Sequence, residues 1–299
     1  MRSLHKQLFL LFFILNLAWP LYGVERSIFS TLSKGHFITQ SLNDGYIDWT
    51  AGYVSARATV RLPRIIFDPK HPDYNQPGTA FSITDARAVS REKAREEAEL
   101  KLMQIILSMQ LDSETAVRKK MEEDLSFRDR MGFVSSKFVT KSEKSGNGIV
   151  SIEMAIPFTG NNGLYSIITG NYYNTETIPE FPESIIRQEI SGIIIDLTEF
   201  KEYKPSLEPR IFTDQGRMIY GPETLHQKIA VQRGIVSYHT DHEKARQDYR
   251  SGLSPYYLYA SSVQKGNIYL DSEEVKRILS SPAGKKAFQF GKIVLLLVN

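Results

Sequence analysis

The sequence predicts an α+β protein in which a long helix packs on an antiparallel sheet, followed by a second small α+β domain. Three observations carry this. The stretch Thr84–Gln110 contains neither Gly nor Pro and sets Ala94, Ala98, Leu102, Ile105, Ile106 and Met109 at steps of three and four, the spacing of one helix face. Its neighbours YIDWTAGYVSARATV, GFVSSKFVTKSEK and GIVSIEMAIPF are rich in β-branched and aromatic residues and read as strands that can cover that face. After the Pro-containing stretch NYYNTETIPEFPES a new apolar run, SGIIIDL, opens a second unit.

Taken in order, the elements begin after an N-terminal segment with its own plan. Arg2, His5 and Lys6 precede LFLLFFILNLAW, and Pro20 to Gly23 lead into the polar VERS. A basic start, a short apolar run and a small-residue exit are the parts of a secretory signal peptide. The run falls short of the ~20 residues a membrane span needs, so residues 1–23 are expected to be removed after export. Retention as an anchor is the other outcome, because Leu21 stands where a small residue is preferred for cleavage. The mature chain is expected in the periplasm or at the outer membrane.

Residues 24–170 form the first predicted domain. Tyr46–Val60 reads as two short strands or a bent one, with Gly52 marking a turn or bulge, and the prolines between Leu62 and Thr79 make an exposed loop. Thr84 or Asp85 is expected to cap the long helix, a second helix to cover Arg118–Arg130 up to Gly132, and Phe133–Lys141 to pair with Ile149–Pro157 across SGNG. Trp49 is expected to pack against the long helix, over the small Ala94 and Ala98. Residues 171–184 read as a linker and 185–299 as the second domain. Within it LEPRIFTDQGRMIYG forms a hairpin, Thr224–Arg233 and Asp241–Tyr249 form helices with the strand Ile235–His239 between them, Tyr256–Gln264 and Asn267–Leu270 turn at Gly266, Asp271 caps a helix ending at Leu279, and Lys292–Val298 is the last strand.

Composition narrows the function classes. Hydrophobic residues are 41% and charged residues 24%, ordinary globular usage that suggests neither disorder nor a polytopic membrane protein. A net charge of +3 without a basic tail argues against nucleic acid as a partner. With no cysteine there are no disulfides, thiolate metal ligands, cysteine nucleophiles or lipid-modified N-terminal Cys.

GYIDWTAGYVSARATV, DARAVSREKAREEAELKLMQII, LDSETAV and GFVSS with a hairpin ending in MAIPF, in this order, resemble the bacterial envelope family that holds the LPP-twenty lipoproteins and the N-terminal domain of flagellar assembly protein T. The resemblance covers about Asp44–Leu164, and a segment similar to SGIIIDL…KPSLEPRIFTDQGRMIYGP follows that domain in longer members. It implies a non-catalytic assembly or structural factor of the flagellum or outer envelope that acts through protein–protein contacts. Envelope or flagellar basal-body proteins, or further copies of the chain, would be its partners, with no cofactor and no small-molecule substrate. The chain departs from the lipoprotein members in lacking the lipobox Cys and in its long Pro-rich loop.

Candidate chemistry is sparse. His239-Thr-Asp-His242-Glu brings two imidazoles and two carboxylates together and is the best candidate for a metal site or a metal-dependent hydrolase, but it lacks a third ligand and reads more simply as surface decoration. Ser90-Arg-Glu-Lys93 matches the S-x-x-K of serine acyl-enzymes without their partner motifs. Tyr172, Tyr173, Tyr256, Tyr257 and Tyr259 could stack on a glycan or partner, or serve as aromatic edges of the core. No catalytic, cofactor or metal residues are assigned, and a general envelope-binding role unrelated to motility remains the other binding reading.

Overall fold

The computed structural model describes residues 38–42, 45–182 and 189–298, all within the compact unit Ser33–Asn299. The predicted signal peptide lies outside the described residues. Among those described, no helix is long and apolar enough to cross a membrane.

The architecture is α+β. In the first half, β1 (Thr39–Leu42), β2 (Gly45–Asp48) and β3 (Tyr53–Arg61) come first, then a two-stranded parallel ladder of β4 (Arg64–Ile65) and β5 (Thr79–Ala80), then β6 (Val139–Gly146) and β7 (Ile149–Pro157). Five of these strands make an antiparallel sheet in the order β1-β2-β3-β7-β6. Side chains alternate between sheet faces, and the register pairs Val54 with Ile156, Ala56 with Met154 and Ala58 with Ile152 on one face. That face is apolar, and α1 (Ile83–Ser108) covers it with Ala94, Ala98, Leu102, Ile105 and Ile106 buried. The helix runs antiparallel to β3. Ser90 Oγ donates to the Arg61 carbonyl at 3.3 Å and Lys101 Nζ to that of Arg57 at 3.3 Å. Ile105 lies so close over Gly45 that a Cβ there would come within 2.3 Å of its Cδ1.

Several boundaries differ from expectation. The cap of α1 is Ser82, whose Oγ accepts the Asp85 N–H at 3.1 Å while the Asp85 carboxylate accepts the Phe81 N–H at 3.2 Å, so Asp85 is the returning arm of the cap. The second helix is two, α2 (Val117–Glu123) and α3 (Leu125–Met131), because Asp124 turns its carboxylate to the Phe127 N–H and caps a new start. Residues Val134–Lys137 form a 3-10 turn in which Ser136 Oγ donates to the Phe133 carbonyl, so β6 begins only at Val139. Its hairpin with β7 turns where expected, at Asn147 and Gly148, with φ of 50° and 72°, the left-handed pair that suits a two-residue hairpin.

The indole of Trp49 is buried, but its described ring contacts are not with α1. It meets Phe158 edge-on at 5.4 Å and Tyr238 at 5.8 Å. The helix carries no aromatic ring, and Trp49 shares one hydrophobic cluster with its Ala94 and Ala98.

After α4 (Tyr165–Ile168), the second half supplies β8 (Gly192–Asp196), β9 (Ile211–Thr213), β10 (Met218–Tyr220), α5 (Gln227–Arg233), β11 (Ser237–His239), α6 (His242–Gln247), β12 (Pro255–Gln264), β13 (Asn267–Leu270), α7 (Ser272–Leu279), α8 (Pro282–Gln289) and β14 (Ile293–Leu296). Its sheet is mixed, in the order β10-β9-β13-β12-β8-β14-β11. The hairpins expected at Gly216 and Gly266 form, whereas β12, β8, β14 and β11 run parallel to one another. Ile193, Ile194 and Ile195 are all buried, as a strand covered on both faces requires. The main core takes Ile193 and Ile195, and a small cluster with Ala245 of α6 takes Ile194.

Among the described residues the stretch 24–170 thus carries the five-stranded sheet and the β4–β5 ladder, the stretch 185–299 the seven-stranded sheet, and one hydrophobic cluster runs through both. Backbone bonds join them, from Leu207 N–H to the Gln110 carbonyl at 3.0 Å and from Glu208 N–H to that of Leu111 at 2.6 Å. Arg210 adds an ion pair to Asp112 at 3.1 Å. In the stretch read as a linker, Tyr173 is buried, and the Asn174 N–H donates to the Pro222 carbonyl at 3.1 Å.

Candidate functional site

The face of the first sheet turned away from α1 gathers the richest set of polar groups. The alternation that puts Ala56 and Ala58 under the helix puts Ser55, Arg57 and Thr59 on this face, and the register adds Glu153 opposite Arg57 and Ser151 opposite Thr59. Glu153 is 5% exposed. Its carboxylate accepts from Ser55 Oγ at 2.6 Å, from Arg57 Nη2 at 2.5 Å and, as an ion pair, from Lys141 Nζ at 3.1 Å. Burial alone would push its pKa up. The bonds from Ser55, Arg57 and Lys141 outweigh that and hold it at about 2.

Lys141, at the irregular register of β6 between Thr140 and Ser142, also donates to Tyr46 Oη at 2.5 Å and Tyr53 Oη at 3.1 Å and sits over both rings. Burial and the Tyr46 hydroxyl raise the Tyr53 phenol to about 12. Beside this network an open cleft of about 420 Å³ is lined by Ser41, Tyr46, Ser55, Arg57, Thr59 and Glu153. The arrangement holds its donors in fixed places. The alternating S-A-R-A-T of β3 is the sequence signal for this face, and motif reasoning passed over it.

The residues singled out in the sequence are dispersed. His239 Nε2 lies 2.8 Å from Asp248 Oδ2, both side chains largely buried, so this histidine is a structural partner and not surface decoration. The His242 ring is stacked on Tyr257 at 5.1 Å. The two imidazoles therefore serve different partners, and among the described residues no group of three or more His, Cys, Asp or Glu could hold a metal ion. Ser90 is buried against β3 while Lys93 is exposed, so the S-x-x-K pair does not meet. The tyrosines divide as well: Tyr257 backs His242, Tyr259 is 71% exposed, and Tyr172 and Tyr173 both donate to Glu208 Oε1, at 2.7 and 2.6 Å.

Glu208 is 1% exposed, and burial pushes its pKa up to about 7 despite the two phenols and the nearby Arg210. Its folded pKa is above the ordinary carboxyl value, so the folded state holds the extra proton. Its contribution to stability is then fully present below pH ~4.5 and is lost as pH rises towards about 7. Glu153, held low, acts in the opposite sense and in a different window, losing its contribution as pH falls from ~4.5 towards 2. Glu208→Gln is expected to flatten the decline between pH 5 and 7 in urea unfolding while keeping an acceptor for both tyrosines. An unchanged slope would assign the titration elsewhere.

An apolar tip stands at the other end of α1. The Ile66 N–H donates to the Ala80 carbonyl at 2.8 Å, so Phe67 and Phe81 follow the β4–β5 ladder on its two strands. Phe67 is 74% exposed, Phe81 49% and, two residues on, Ile83 50%.

Comparison with known proteins gives one finding for the C-terminal part. A family model described as Treponema pallidum Tp0624, second domain, matches residues 192–299. The match opens on Gly192, the first residue of β8, and so takes in the whole second sheet with the helices between its strands. No curated protein matches the chain.

Proposed function

We propose that the protein is an exported, non-catalytic envelope protein, an assembly or structural factor of the flagellum or outer envelope that acts through protein–protein contacts. The observation that carries this reading is the exposure of three large apolar side chains, Phe67, Phe81 and Ile83, around the β4–β5 ladder that leads into the long helix. Exposed aromatics are what a protein interface uses as anchors. The N-terminal segment supports export, and the resemblance of Asp44–Leu164 to the LPP-twenty and flagellar assembly protein T family supports the envelope and the flagellum. The match of residues 192–299 to a domain of a Treponema pallidum protein supports a modular chain.

A hydrolase or metal-dependent enzyme built on His239 and His242 would need both imidazoles on one ligand, and they stand on Asp248 and Tyr257 instead. The test is fractionation of cells carrying Phe67→Ser with Phe81→Ser. The double variant should lose its association with the envelope fraction while its melting temperature stays unchanged, since exposed side chains add little to folding. Unaltered fractionation would remove the tip from the account.

A further inference from the structure

The uncovered face of the first sheet carries a charge pattern that the contacts within the chain do not use up. Besides Arg57 and Lys141, register places Arg61 opposite Ile149 and Lys144 opposite Ser151 on this face. Its carboxylates are Glu153 and Asp48. Both are buried and committed, Glu153 to Ser55, Arg57 and Lys141, and Asp48 to the Ala51 N–H at 2.8 Å. The cations reach outward: the Arg57 side chain remains 55% exposed with one nitrogen on Glu153, and Lys144 is exposed. Among the described residues the strands place no further carboxylate on this face.

We propose that this face binds an acidic polysaccharide, with one sugar carboxylate seated at Arg57 in the cleft and the neighbouring chain running towards Lys144 and Arg61. A guanidinium fork matches a carboxylate. The exposed hydroxyls of Ser41 and Thr59 beside it can donate or accept, which suits the alternating hydroxyls of a sugar ring better than a bare phosphate. The cleft's ~420 Å³ is in the range of small-ligand sites, and it is open, so a polymer can pass through it. Strands fix the donors in place, so little ordering cost remains for binding.

Polygalacturonate, neutral dextran, single-stranded DNA and phosphatidylglycerol vesicles offered to the mature chain distinguish the sources of negative charge. Polygalacturonate is expected to bind and dextran not, with affinity falling as salt screens the cations. Arg57→Gln should weaken binding about tenfold or more, with some loss of stability from its bond to Glu153, and Lys144→Ser by a smaller factor with an unchanged melting temperature. Lys144 is exposed at a hairpin end, so its variant keeps the test valid even if Arg57→Gln perturbs the sheet. Absence of polygalacturonate binding, full binding in both variants, or equal binding of DNA or vesicles would overturn the proposal. The Phe67 tip lies outside this cleft, so either reading can fail without the other.

Discussion

Replacing Arg250 by methionine is expected to destabilise the protein by about 3 to 5 kcal/mol, read as a drop in the denaturant midpoint with an unchanged slope. The side chain is 2% exposed and, among the described residues, pairs with no carboxylate. Its guanidinium is instead wrapped in carbonyls. Nη1 donates to Ile235 O at 3.2 Å and to the carbonyl of Gly291, and Nη2 donates to that of Arg233. Two of these oxygens would otherwise be orphans, one at the C-terminal end of α5, where a cation also answers the helix dipole, and one just before β14. Methionine fills the volume but strands several buried acceptors. Lysine restores the charge without the fork and should recover only part of the loss. A cost under about 1 kcal/mol would mean that water satisfies these carbonyls and that Arg250 does not tie α5 to β14.

Leu102→Ala is expected to cost about 2 to 5 kcal/mol, lost apolar burial plus the cavity left behind. Leu102 is 0% exposed on the face of α1 turned to the sheet. Glu97→Ala, on the partly exposed side of the same helix, should change stability by no more than about 0.5 kcal/mol. Trp49 is a convenient reporter for both. It sits between Phe158 of the first half and Tyr238 of the second, so its fluorescence follows the junction of the two sheets. Equal costs for the two substitutions would mean that α1 buries another face.

These two sites mark how far the sequence could be read. The face that buries Leu102 repeats every three or four residues, and such periodicity survives any tertiary context, so α1, its sheet and both later hairpins were legible. Arg250 follows Tyr249 in a short polar stretch with no period. What buries it is the convergence of α5, β11 and β14, which sequence spacing does not express. The same holds for Glu208, whose burial depends on Tyr172 and Tyr173 folding back onto it from a stretch read as linker. Trp49 was rightly expected inside, but its ring partners Phe158 and Tyr238 were not legible, because an apolar residue shows that it will be buried and not against what. Parallel pairing of β8 with β12 and β14 was likewise hidden, since an unbroken run such as Ile193–Ile195 reports burial on two faces and not the direction of the strands beside it. The polar face of the first sheet was the reverse case. Its alternation is written in Ser55, Arg57 and Thr59, but it becomes a site only when Glu153 and Lys141 arrive from the second hairpin.

The claim that this protein works through contact surfaces is tested most directly by a photo-reactive amino acid placed at Phe67 in living cells, with one at the fully exposed Leu253 as control. Illumination followed by mass spectrometry of the adducts should show, at position 67 alone, a specific envelope or basal-body protein, and the adduct should disappear when Phe81→Ser is added. No adduct at 67, or the same diffuse set of proteins from both positions, would contradict the account.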